Sequence, residues 1–169
     1  MPKYVYFKGK GSWFRHIFQL DTAYAGPGEA GKWHIKLHPD KESLDLFKSL
    51  QTRNRLSRDD DGDYFNISRP REKEITLKDG SHKKIVWDAP KVFDKDGHPL
   101  SDSARIGNGS DITVKAELYT YNYQGKRNNA IRLDSVRIDN FIPYEAKENY
   151  LPDEAKSAEG LMDQPEPLF

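Results

Sequence analysis

From Lys32 to His38 the chain alternates: Trp33, Ile35 and Leu37 fall on one side, and Lys32, His34, Lys36 and His38 on the other. A period of two is the mark of a strand with one buried face. The longest such run is 112–123, with Ile112, Val114, Ala116 and Leu118 on one face and Thr113, Lys115, Glu117, Tyr119, Tyr121 and Tyr123 on the other. Shorter runs at 64–68, where Phe65 and Ile67 share a side, and at 83–88 also read as strands. So does 12–20, which is aromatic and β-branched but alternates poorly. Along 130–139 the apolar phase holds through Ile131 and Leu133 and then slips to Val136 and Ile138. One extra residue near Asp134–Ser135, a β-bulge, accounts for the slip.

One segment has helical spacing. Leu44, Phe47 and Leu50 within 40–56 lie three residues apart, with Asp40 placed to cap and Glu42 and Asp45 early, where the helix dipole favours them. Clusters of Gly or Pro with Asp, Asn or Ser punctuate the rest, at 25–31, 59–63, 94–99 and 107–110 among others. The expectation is a mainly β protein of five or six strands and one helix, a small barrel or sandwich.

The net charge of zero hides a split. Residues 145–169 hold seven acids and two lysines, a net charge of −5, and residues 1–144 carry +5. This divides the chain into a folded body, 1–144, and an acidic, disordered tail, 145–169, ending in Phe169. With no cysteine there is no disulfide or thiolate metal site. No apolar run approaches the roughly 18 residues of a membrane span. The expectation is a soluble, intracellular protein.

Motifs for catalysis fail one by one. The five histidines are scattered, and His34 and His38 flank a strand rather than a helix turn, so no metal site is expected. DDDGD at 59–63 has the wrong frame for a calcium loop: with Gly62 at position six, Ser57 and Ser68 fall at positions one and twelve. GKGS at 9–12 lacks the upstream glycine of a phosphate loop. No enzyme activity and no cofactor are expected.

The face opposite the core of 112–123 carries more information. Tyr119, Tyr121 and Tyr123 stand in a row there. Bases of any identity stack on such rings, and with neighbouring cations the row describes a single-strand nucleic-acid surface. Lys115, Lys126, Arg127 and Arg132 are the first candidates to follow phosphates, with Lys32, Lys36, Arg69 and Arg71 behind them. A cross-strand aromatic ladder that only stabilises the sheet is the alternative for the tyrosines. A protein-interaction module using the same face is the alternative for the function.

Residues 91–144 also resemble the phage single-stranded DNA-binding proteins of the gene-2.5 type. The resemblance rests on the turn Asp94–Gly97, on I-G-N-G-S at Ile106–Ser110, on the aromatics Tyr121 and Tyr123 closing the long strand, and on an acidic tail ending in Phe169. It covers about a third of the chain well, plus the tail. It implies an OB-fold, a five-stranded Greek-key barrel with one packed helix. It implies protection and annealing of single-stranded DNA in phage replication and recombination, in the host-cell cytoplasm. It further implies a homodimer and a tail that recruits the phage DNA polymerase and helicase-primase. Asp163, Glu166, Leu168 and Phe169 are the tail residues for that contact. Tyr123 stands where the family commonly has Trp.

Overall fold

The computed structural model describes residues 3–23 and 30–144. They are mainly β, in the order β1 (Lys3–Ser12), α1 (Arg15–Phe18), β2 (Lys32–Pro39), α2 (Lys41–Leu50), β3 (Leu56–Asp59), β4 (Gly62–Pro70), β5 (Glu72–Thr76), β6 (His82–Val86), β7 (Lys91–Asp94), β8 (Ser110–Tyr123) and β9 (Lys126–Asn140). Seven strands form one sheet, ordered β3-β4-β2-β1-β8-β9-β7, and β5 and β6 make a separate hairpin. The described residues thus hold more strands than the five or six expected. Every pairing is antiparallel except that of β7 with β9.

The alternating runs bury the faces their periodicity assigned. Trp33, Ile35 and Leu37 of β2, Phe65 and Ile67 of β4, and Ile112, Val114 and Ala116 of β8 all lie in the core. Helix α2 joins them through Phe47, whose ring stacks on Phe65 at 4.0 Å between centroids, while Phe7 meets Phe65 edge-on at 5.3 Å. Burying a ring of this size stabilises a fold by about 1.5–3 kcal/mol. Asp40 caps α2 by accepting a hydrogen bond from the Ser43 amide at 2.8 Å. The helix stops at Leu50, short of the expected 56, because Gln51 turns left-handed (φ 50°). The freed chain runs along β9: the Arg53 amide donates to the Asn129 carbonyl and Asn54 Oδ1 accepts from the Ile131 amide.

The bulge falls where the pattern slipped. Lys115 faces Ser135 and Ala116 faces Leu133, which leaves Asp134 as the extra residue. A second slip, between Asp111 and Ile112, leaves Asp139 extra. Its carboxylate accepts from Thr113 Oγ1 at 2.6 Å, which explains why Thr113 is buried on the outer face.

Two segments differ from expectation. Residues 12–20 are not a strand. Trp13 takes φ 65°, its amide donates to Asn108 Oδ1, and the chain turns into α1, with Phe14 at its N-cap and Ile17 within it both buried. Conversely, β1 is a long strand that the sequence pattern did not reveal. Its inward positions run Val5, Phe7, Gly9, Gly11, so the apolar alternation ends halfway. The two glycines are needed for space: a Cβ on Gly9 would collide with the His38 carbonyl, and one on Gly11 would stand 2.6 Å from the Phe14 ring.

The sheet curls until β4 lies against β9. Arg69 closes this seam. Its Nε donates to the Asp88 carbonyl at 2.7 Å and its Nη1 to the Leu133 carbonyl at 3.1 Å. Arg71 Nη1 donates to the Trp87 carbonyl at 3.1 Å. Together they fasten the base of the β5–β6 hairpin to the sheet. Among the described residues no helix is long and apolar enough to cross a membrane.

Candidate nucleic-acid interface

Strands β8 and β9 build a two-stranded arm that ends in a tight turn. Gln124 (φ 51°) and Gly125 (φ 78°) are both left-handed, as a two-residue hairpin loop requires. Register then decides which side chains share a face. Tyr123 stands opposite Lys126, Tyr121 opposite Asn128, Tyr119 opposite Ala130 and Glu117 opposite Arg132. The three tyrosines, Lys126 and Arg132 therefore occupy one face.

On that face the rings form a row. Tyr119 and Tyr121 lie 6.2 Å apart between centroids. The Arg132 guanidinium sits 4.2 Å from the centre of the Tyr119 ring and 4.9 Å from that of Trp87. Its Nη1 donates to Glu117 Oε1 at 3.1 Å. Arg132 is only 17% exposed, so it orders the two rings more than it reaches outward. Tyr123, at the tip, is 53% exposed. Further down, Lys115 Nζ lies 4.2 Å from the centre of the Tyr4 ring, with Asp134 at 3.9 Å. Tyr4 and Tyr6 are both exposed on β1, which pairs with β8.

The structure separates the cations that sequence grouped. Arg127 is opposite Asn122 in register and donates from Nη2 to Thr120 Oγ1 at 3.3 Å, so it lies on the far side of the arm from the tyrosines. Lys36 is committed to Asp59, 2.7 Å away, and to the Tyr64 ring at 4.2 Å. That ammonium, with His38, holds the Asp59 carboxyl well below the usual carboxylate range. Arg69 and Arg71 serve backbone carbonyls at the seam. Lys32, at the start of β2, is exposed. Asp163, Glu166, Leu168 and Phe169 lie outside the described residues.

Three aromatic members of the surface were not assigned from sequence: Trp87, Tyr4 and Tyr6. The alternation of Tyr4 and Tyr6 with Val5 and Phe7 carried the signal for two of them. Trp87 had none, because it comes to Arg132 through the Arg71 clasp. The I-G-N-G-S segment is structural. Gly107 allows the Pro143 carbonyl to approach, Gly109 takes φ 90°, and Ser110 Oγ donates to the Gly107 carbonyl and accepts from the Ile142 amide.

The mainly β body has counterparts among solved structures. The fold is similar to that of phage single-stranded DNA-binding proteins. One is gp2.5, a single-stranded DNA-binding protein encoded by bacteriophage T7, at TM-score 0.59 and 16% identity, the match covering 94% of this chain and 100% of that one. Another is the single-stranded DNA-binding protein of bacteriophage Enc34. Its C-terminally truncated form gives TM-score 0.54 at 11% identity, over 84% of this chain and 88% of that one. Its complex with single-stranded DNA gives 0.51 at 13%, over 84% and 89%. At these identities the likeness is one of fold. Neither protein-family profiles nor the curated protein sequences match this chain.

Proposed function

We propose that this chain is a sequence-tolerant single-stranded DNA-binding protein of phage replication and recombination, and that it binds without turning over its ligand. The reading treats the curled sheet, residues 1–144, as an OB-fold barrel of the five-stranded Greek-key kind. The strands beyond five are elaborations at its edges and in the β5–β6 hairpin. The observation that carries it is the row Trp87–Arg132–Tyr119–Tyr121 on the outer face of β8 and β9, with Tyr123 and Lys126 at the tip of the arm. Flat rings spaced along one face accept successive bases whatever their sequence, at about 1–3 kcal/mol per base. Lys115 and Lys126 follow the phosphates, and the solved fold neighbours support the class of ligand.

In this account the tail, 145–169, competes with DNA for the basic body at low salt and recruits the phage polymerase and helicase-primase through Asp163, Glu166, Leu168 and Phe169. The working unit is a homodimer in the host-cell cytoplasm. The test is a titration of the intact protein with oligo-dT of about 30 nucleotides, followed by aromatic emission at two salt concentrations. Saturable binding that weakens with salt, and a matched duplex bound far more weakly, are expected. No binding at low salt, with the tail present or removed, would overturn the reading in favour of a protein-interaction module.

A further inference from the structure

Away from the tyrosine row, three residues that are distant in sequence meet beside β2. His16 comes from α1, Asp21 from the chain that bridges to Lys32, and His34 from β2. One ligand atom from each lies within 4.8 Å of the other two. His34 Nε2 stands 2.7 Å from Asp21 Oδ2, and the two imidazole rings are 4.9 Å apart between centroids. We propose that His16, Asp21 and His34 form a binding site for a divalent transition-metal ion of the zinc type, which clasps the chain around α1 to β2.

Three observations carry it. The first is donor chemistry: two imidazoles and a carboxylate are a common zinc set. The second is spacing. Zinc–nitrogen bonds of about 2.0–2.1 Å put the centroids of two imidazoles on one tetrahedral ion roughly 5 Å apart. The rings stand at a similar separation, stacked at an interplanar angle of 27°, so a rotation of one ring brings both nitrogens onto an ion. The third is an orphan: His16 Nδ1 is buried and has no hydrogen-bond partner among the described residues. Buried polar atoms without partners are rare, and those that persist call for an explanation such as an ion.

Two other His–carboxylate groups do not share these features. In His38–Asp59–Asp61 the Lys36 ammonium already sits 2.7 Å from Asp59, where it would repel a cation. In Asp94–Asp96–His98 the Asp94 carboxylate accepts from the Asp96 and His98 amides, as a turn requires. Each of these groups offers one imidazole, against two at the proposed site.

The test uses the intact protein, freed of metal by chelator dialysis and titrated with zinc chloride by calorimetry and thermal melting. Saturable one-to-one binding and a raised melting temperature are expected. His16→Gln and His34→Gln are each expected to weaken binding at least tenfold, and His38→Gln to leave it within twofold. Equal zinc affinity in wild type and in the His16→Gln/His34→Gln double variant would overturn the proposal. If the variants fail to fold, cobalt(II) added to the wild-type protein decides. Paramagnetic shifts centred on the His16 and His34 ring signals support the site, and shifts centred elsewhere refute it. The proposal is independent of DNA binding and can fail or stand without it.

Discussion

Arg69 and Arg132 both carry a guanidinium on the same curled sheet, yet their surroundings are opposite. Arg69, at the seam of β4 with β9, has backbone carbonyls of Asp88 and Leu133 as its partners. Arg132, on the outer face of β9, has the Trp87 and Tyr119 rings and the Glu117 carboxylate. One arginine closes the sheet, and the other builds a surface. The difference lies in what a planar cation meets. Carbonyls at a strand edge consume its donors, whereas rings leave the array open to further stacking. Two positive charges of equal standing in a charge count thus have different surroundings, one at the seam and one within the row of rings.

The comparison breaks most clearly at the rings. Tyr119→Ala with Tyr121→Ala is expected to cost about 2–6 kcal/mol of oligo-dT affinity, at roughly 1–3 kcal/mol per base. Circular dichroism and the melting temperature should stay near wild type. An affinity within twofold of wild type would show that the row is a sheet-stabilising ladder.

Arg69→Ala should do the reverse. Losing one exposed and one part-buried charge-assisted hydrogen bond to backbone carbonyls costs about 1.5–3 kcal/mol of stability. Urea unfolding would register that loss, and affinity per folded molecule should be unchanged. If binding falls while stability holds, Arg69 belongs to the interface after all.

A smaller effect sharpens the role of Arg132. Arg132→Lys keeps the charge and loses the planar stacking partner, so affinity should fall by about 1 kcal/mol while the salt dependence stays the same. Smaller still is the contrast at the tip of the arm. Lys126→Ala should reduce the slope of log affinity against log salt by about 0.7, the value for one single-strand phosphate contact. Arg127→Ala, on the opposite side, should leave the slope alone.

Acid pH probes a third environment, that of Asp59. Its carboxyl is depressed first by the hydrogen bond from Lys36 and then by that with His38. A depressed folded-state pKa means the stabilisation is fully present above the unfolded value of about 3.9 and is lost as pH falls through the folded one. Asp59→Asn should therefore be less stable than wild type at neutral pH, and the two should converge in strong acid. A constant difference down the whole acid range would contradict this linkage.

The strands that were legible have one wet and one dry face. β2, β4 and β8 announce themselves by alternation, and the Asp134 bulge by a slip in it. β1 hides because two of its inward positions are glycines, and β5 because Glu72–Thr76 has no deeply buried face. The tyrosine face was readable for the same reason as the strands, since it is the other half of a period-two pattern. The fate of each cation was not, because it depends on partners brought by distant segments: Asp88 and Trp87 for the seam, Asp59 for Lys36. The meeting of His16, Asp21 and His34 likewise leaves no local motif.

The most direct measurement is a residue-resolved NMR titration of the intact protein with oligo-dT. The account predicts upfield ring shifts of Tyr119, Tyr121 and Tyr123, accompanied by changes at Trp87, Lys126 and Arg132, with Arg69 and Arg71 unmoved. Shifts that leave the tyrosine rings in place and gather on another surface would contradict it.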